Sequence, residues 1–114
     1  MNDYQMISEL LVKQCDAKIE KIVNASFPVK GLSILELREA LIMVGRIHLE
    51  DLDEQIYIAL IPGGIKKKNI AYVGLKLTND VLYISAYSEE GLIKQNTSKG
   101  VIDEIANVLE EYIQ

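Results

Sequence analysis

The spacing of apolar residues predicts a helix toward each end of the chain. Over residues 3–23, apolar side chains recur three and four positions apart and form one stripe along a helix, with charged residues on the opposite side. The same spacing returns over residues 99–112, where Ser98 is placed to cap the first turn. Both segments are therefore expected to be amphipathic helices that bury one side.

A further helix is predicted over Ile34–Val44. Ser33 and Glu36 have the spacing of a capping box, in which each side chain accepts a hydrogen bond from the backbone N–H of the other residue. Gly45 is a typical C-terminal stop. Residues 40–44 are apolar without a break, so this stretch stays open between the end of the helix and a buried strand.

Strand-like runs cover residues 46–50, 55–62, 69–78 and 81–88. Asn79-Asp80 separates the last two and suits a two-residue hairpin turn, because both residue types tolerate a positive φ. This turn pairs Thr78 with Val81 and places only aliphatic side chains on one face of the hairpin. A shift of one residue would mix the two faces, which specifies the register. The aliphatic face carries Val73, Leu75, Leu77, Leu82, Ile84 and Ala86.

The helices need an apolar surface to cover, and the aliphatic sheet face supplies one. Extending the alternation outward adds Ile56, Ile58 and Leu60 to this face. The predicted fold is therefore α+β: a two-layer sandwich in which a four-stranded antiparallel meander has the helices packed on one face. The predicted order is α-α-β-β-β-β-α, in a single globular domain over residues 1–114.

The other sheet face is predicted to be open and rich in tyrosine. Aromatic residues and Arg are enriched at the centre of protein interfaces, whereas Asp and Glu are depleted there. We therefore expect this face to bind a protein partner, most simply a second copy of the chain. The alternative is an ordinary solvent-facing sheet face, where tyrosine is also common because of its strand propensity. The interface candidates are Tyr57, Ile61, Ile70, Tyr72, Lys76, Tyr83, Tyr87, Arg46 and His48.

Composition narrows the class of partner. The chain has 114 residues, of which 49% are hydrophobic and 25% charged, as in an ordinary soluble globule. A net charge of −5 argues against nucleic acid as a partner, because phosphate neutralisation needs a basic face. No apolar run approaches the roughly 20 residues of a membrane span, so no membrane partner is expected. Cys15 is the single cysteine, which favours a reducing compartment and a cytoplasmic location.

Few residues suggest chemistry. His48 is the only histidine, and together with Tyr57 and Glu50 it could transfer protons, so a small-molecule-binding or enzymatic domain is the alternative function. Cys15 lies on the apolar stripe of the first helix and is expected to be an inert core residue. No cofactor is expected.

The charged turns are expected to hold no metal. The acidic turn at residues 50–54 lacks the glycine and terminal glutamate of a calcium loop. The lysine loop at residues 66–68 lacks a phosphate-loop ending, and anion binding there stays open. The leading prediction is a small, cytoplasmic, non-enzymatic interaction domain of adaptor, chaperone or inhibitor type, self-associating through its tyrosine-rich face.

Overall fold

The computed structural model describes residues 2–90 and 96–113. Within these residues the chain forms a five-stranded antiparallel sheet and three α-helices. The helices are α1 (Asp3–Cys15), α2 (Ile34–Val44) and α3 (Thr97–Leu109). The strands are β1 (Val23–Pro28), β2 (Arg46–Asp51), β3 (Ile56–Gly63), β4 (Asn69–Thr78) and β5 (Val81–Ser88). The sheet order is β1-β5-β4-β3-β2, so β1 and β2 are its edges.

The α+β class and the central hairpin are confirmed. β4 and β5 span the predicted residues, and Thr78 pairs with Val81. Asn79 and Asp80 both adopt a positive φ, of 50° and 63°, as a two-residue hairpin of this type requires.

The predicted count of four strands is wrong, because residues 23–28 form a fifth strand, β1, and the first helix ends at Cys15 and not at Val23. Asp16 leaves the helix with a left-handed φ of 55°, and residues 19–21 form only a 3-10 turn. The chain then pairs antiparallel with β5. The apolar pattern of a helix continues past Cys15, but the hydrogen bonds that residues 23–28 form with β5 outweigh this local preference.

The predicted placement of all helices on one side of the sheet is also wrong. α2 and α3 pack on the aliphatic face, whereas α1 packs on the opposite face against β4 and β5. Ile7 and Leu11 of α1 are fully buried there. Gly74 allows this close approach, since a Cβ at that position would lie 3.0 Å from the Ile7 Cβ. The molecule therefore has three layers.

The predicted faces of β3 are wrong by one residue: Ile56, Ile58 and Leu60 were expected on the aliphatic face, but they lie on the opposite one. Tyr57 pairs with Leu75, so Tyr57 and Ile61 point toward α2 and α3. Ile58 pairs with Gly74 and points toward α1. The alternation could not distinguish the two arrangements, because residues 56–61 are apolar at every position.

The predicted start of α2 is confirmed, and residues 40–44 are helical. Ser33 Oγ accepts from the Glu36 N–H at 3.1 Å, and the Glu36 carboxylate accepts from the Ser33 N–H at 3.0 Å. The start of α3 differs from the prediction. Its N-cap is Asn96, and Ser98 lies inside the helix, where its hydroxyl is 3.0 Å from that of Ser88. Within residues 2–90 and 96–113, no helix has the length and apolar character needed to cross a membrane.

Candidate protein-interaction surface

The predicted tyrosine-rich face is largely covered by α1. Tyr83 packs edge-to-face against Tyr4 of α1, with ring centroids 5.2 Å apart. Tyr87 is only 3% exposed and stacks with the half-buried Tyr72 at 6.4 Å. The Lys76 side chain is also buried on this face. These side chains therefore contribute to an intramolecular core.

Tyr57 and Ile61 are fully buried on the other side of the sheet. The Tyr57 hydroxyl donates to the Ile34 backbone oxygen at 2.9 Å, which ties β3 to the start of α2. Burial raises the pKa of Tyr57, and the nearby Glu50 carboxylate raises it further. The predicted site residues that remain exposed are Arg46, His48 and Ile70. The structure does not unite the nine predicted residues in one open face.

Two buried polar side chains on the α1 side, Lys76 and Tyr87, have hydrogen-bond partners within the protein. The Lys76 ammonium donates to the Glu54 backbone oxygen at 2.6 Å. The Tyr87 hydroxyl donates a hydrogen bond to Glu89. This hydrogen bond is the main cause, and burial the second, of the rise in the pKa of Tyr87 to about 12. The same bond lowers the pKa of Glu89, and Lys18 at 3.5 Å adds to the lowering. This cluster fixes the end of β5 to the segment after α1.

The alternative site around His48, Tyr57 and Glu50 is not assembled as expected. A β-bulge at His48 makes Glu50, and not His48, the neighbour of Tyr57. Glu50 forms an ion pair with Arg38, in which Arg38 Nε lies 2.5 Å from a carboxylate oxygen. Clefts of about 320 to 400 Å³ occur elsewhere on the described surface, and their linings include neither His48 nor Tyr57.

The contacts of Cys15, of the lysine loop and of the acidic turn are typical of structural roles. Burial, with Asp16 nearby, raises the pKa of the Cys15 thiol, which disfavours the reactive thiolate. Lys67 of the lysine loop forms an ion pair of 2.7 Å with Glu104 of α3. The Asp51 carboxylate accepts from the Glu54 N–H at 3.1 Å and closes the acidic turn. Among residues 2–90 and 96–113, no group of His, Cys, Asp and Glu side chains is arranged to hold a metal.

The sequence-based reasoning missed an exposed apolar surface on α2. Leu35, Ile42 and Met43 are 60%, 50% and 66% exposed, while the opposite side of the helix packs into the core. Eight of the eleven residues of α2 are apolar, more than one side of a helix can bury. That excess is the signal that could have found the surface.

The exposed side of α2 lies beside an edge of the sheet. The Arg38–Glu50 ion pair shows that the Arg38 side of the helix adjoins β2. Leu35 and Ile42 lie three residues before and four after Arg38, so they share this side. Met43, five residues after Arg38, lies about 140° away around the helix axis. We call Leu35, Arg38 and Ile42, together with strand β2, the α2–β2 surface.

The two ends of β2 carry charges of opposite sign. Arg46 opens the strand, and Glu50 and Asp51 close it; all three are exposed. Within the described residues, β2 pairs with β3 alone. One side of its backbone is therefore available to another strand.

Comparison with known proteins assigns no relative. No protein-family model, no curated protein and no solved structure matches the chain.

Proposed function

We propose that this protein is a non-enzymatic interaction domain that associates with a second copy of itself through the α2–β2 surface. The observation that carries the proposal is the exposure of Leu35 and Ile42, at 60% and 50%, beside an edge strand. Exposed apolar side chains grouped next to an edge strand are typical of a surface that is covered in a complex.

Two sources of free energy support association at this surface. Burial of apolar side chains contributes about 25 cal/mol for each Å² removed from water. Pairing of the β2 backbone with another strand replaces hydrogen bonds to water by hydrogen bonds within a sheet, as in complexes formed by strand addition. A helix side and a strand edge next to each other provide both contributions at once.

The charge pattern favours a second copy as the partner. β2 carries Arg46 at its start and Glu50 and Asp51 at its end. A two-fold axis that reverses one strand against the other brings these unlike charges together twice. The surface is thus complementary to itself, and steering of encounter by unlike charges follows from the same arrangement.

The test is the mass in solution, measured by light scattering and by sedimentation over a wide range of concentration. We expect a dimer that dissociates on dilution. Ile42→Lys is expected to abolish the dimer, because a lysine replaces an apolar contact beside β2. Met43→Lys is the matched control, because Met43 is equally apolar and 66% exposed but points away from β2.

The expected result is a monomer for Ile42→Lys and a dimer for Met43→Lys, with unchanged circular dichroism for both. A wild-type protein that stays monomeric at every concentration overturns the proposal. An equal loss of mass in both variants overturns the assignment to the α2–β2 surface.

A further inference from the structure

We infer that the two copies pair β2 against β2 in antiparallel orientation around a two-fold axis, with the two α2 helices packed against each other above the same axis. This inference rests on the proposed function and specifies its geometry. Two five-stranded sheets then form one continuous sheet.

The β-bulge determines which side chains of β2 share a face. Arg46 pairs with Leu60, and Asp51 pairs with Ile56. Leu60 and Ile56 in turn pair with Tyr72 and Lys76, which lie on the face covered by α1. Arg46 and Asp51 therefore lie on the same face. In a regular strand they would lie on opposite faces, because they are an odd number of residues apart.

On the other face of β2, Ile47 and Glu50 are related in the same way as Arg46 and Asp51. Ile47 pairs with Ala59 and Glu50 with Tyr57, and both partners belong to the core beneath α2 and α3. An antiparallel pairing that places Arg46 opposite Asp51 of the second copy also places Ile47 opposite Glu50. The pairs Arg46–Asp51 and Ile47–Glu50 then each lie on one face of the joined sheet. The bulged residue His48, which has no partner in β3, lies next to the two-fold axis opposite Leu49 of the second copy.

The position of α2 fits the same axis. Arg38 of α2 contacts Glu50 of β2, so the chain reverses at Gly45 between the helix and the strand. At about 3.3 Å per residue, the midpoint of β2 lies about 8 Å from the start of the strand. At about 1.5 Å per residue, the boundary between Arg38 and Glu39 lies about 8 Å from the end of α2. The midpoints of strand and helix therefore lie side by side, and one axis can pass close to both.

The spacing between the two helices is that of ordinary helix packing. α2 packs across both β2 and β3. Because neighbouring strands are about 4.8 Å apart, the α2 axis lies about one strand spacing from the two-fold axis, and the two helices are about 10 Å apart. Around this axis, Leu35 lies at the level of Ile42 of the second copy.

A charge-exchange experiment tests the register. Arg46→Asp places two acidic residues opposite each other at both ends of the paired strands, and Asp51→Arg places two arginines there. Each variant alone is expected to dimerise roughly tenfold more weakly than the wild type, because attraction becomes repulsion at both positions. An equal mixture of the two variants restores opposite charges at both positions, and a mixed dimer is expected.

The controls are Lys30→Asp and Asp103→Arg, which make the same charge changes at exposed positions outside β2. These variants are expected to dimerise normally, alone and mixed. Because the Asp51 carboxylate accepts a hydrogen bond from the Glu54 N–H, circular dichroism verifies that Asp51→Arg remains folded. A misfolded variant is replaced by Asp51→Asn, which retains an acceptor oxygen and removes the attraction.

With Asp51→Asn, a smaller loss of dimer alone and a gain on mixing with Arg46→Asp support the register. A dimeric wild type whose single variants remain fully dimeric overturns the register and leaves the proposed function intact. Single variants that are monomeric and stay monomeric on mixing also overturn the register. A monomeric wild type overturns both claims.

Discussion

Substituting Gly74 by valine tests whether α1 covers the sheet. A Cβ at Gly74 would lie 3.0 Å from the Ile7 Cβ and 3.4 Å from the Ile7 backbone oxygen. Ordinary contacts between carbon atoms are about 3.5 to 4.0 Å. Valine adds two methyl groups beyond that Cβ, so α1 has to move away from β4 to accommodate them.

The sign of the stability change distinguishes a sheet covered by α1 at Gly74 from a sheet that is open there. Overpacking of a close contact costs about 1 to 3 kcal/mol, and the strand preference of valine returns up to about 1 kcal/mol. Beneath α1, Gly74→Val is therefore expected to lower the free energy of unfolding by about 1 to 2 kcal/mol. On an open sheet face the overpacking term is absent, and the same substitution would stabilise the protein.

Urea unfolding followed by circular dichroism measures this change. Gly100→Ala is the control, because a Cβ at Gly100 meets no heavy atom within 4 Å and alanine favours the helix by up to about 1 kcal/mol. Combining Gly74→Val with Ile7→Ala is expected to cost less than the sum of the two single changes. Alanine keeps the Cβ and backbone oxygen that the valine Cβ approaches, but it removes the Ile7 atoms beyond Cβ and so makes room for the two methyl groups of valine. A stabilising Gly74→Val would refute the placement of α1 against β4.

Three further outcomes follow from individual hydrogen bonds. Tyr57→Phe leaves a backbone oxygen of α2 without its buried donor and is expected to lower the free energy of unfolding by about 1 to 2 kcal/mol, measured by urea unfolding. Ser33→Ala removes the N-cap of α2 and is expected to cost about 1 kcal/mol in the same assay, whereas Ser33→Asp retains an acceptor and should cost less. Absorbance titration should show Tyr87 ionising with a pKa of about 12, and Glu89→Gln should bring this pKa back toward its ordinary value. Because the raised pKa favours the protonated hydroxyl in the folded state, the stability from Tyr87 is complete below about pH 10 and is lost as the pH rises to about 12. An unchanged Tyr87 pKa in Glu89→Gln would contradict the role of that hydrogen bond.

Local features of the fold could be predicted because they depend on residues close in sequence. The Asn79-Asp80 turn determines the pairing of β4 with β5, since only one register keeps the two faces distinct. The capping box at Ser33 and Glu36 similarly determines the start of α2. Each depends on backbone preferences and hydrogen bonds within a few residues.

The side of the sheet covered by α1 could not be read from its apolar stripe, because the stripe requires a partner surface without specifying which one. The signal lay in the sheet. Residues 56–61 are apolar at every position, which is typical of a strand buried on both faces. Gly74 and Ser85 are small residues within the predicted tyrosine face, and the α1 backbone approaches the sheet at Gly74.

The candidate site was less predictable than the fold. A bulge depends on how two strands meet, and nothing in the residues around His48 distinguishes a bulged strand from a regular one. Exposure of Leu35 and Ile42 depends on how α2 packs against β2, β3 and α3, which leaves this side of the helix uncovered. Arg46 lies on the face predicted for it, because it pairs with Leu60 and Leu60 pairs with Tyr72. The larger part of that face is covered by α1, while Arg46 and His48 stay exposed on the edge strand β2.

Amide hydrogen exchange of the unmodified protein tests association through β2 most directly, because it compares the two sheet edges within one molecule. The exchange rates of β1 and β2 amides are measured at low and high protein concentration. The account predicts slower exchange at high concentration in β2 and α2, with no change in β1. Exchange in β2 that is independent of concentration, or protection that develops in β1 in its place, would contradict it.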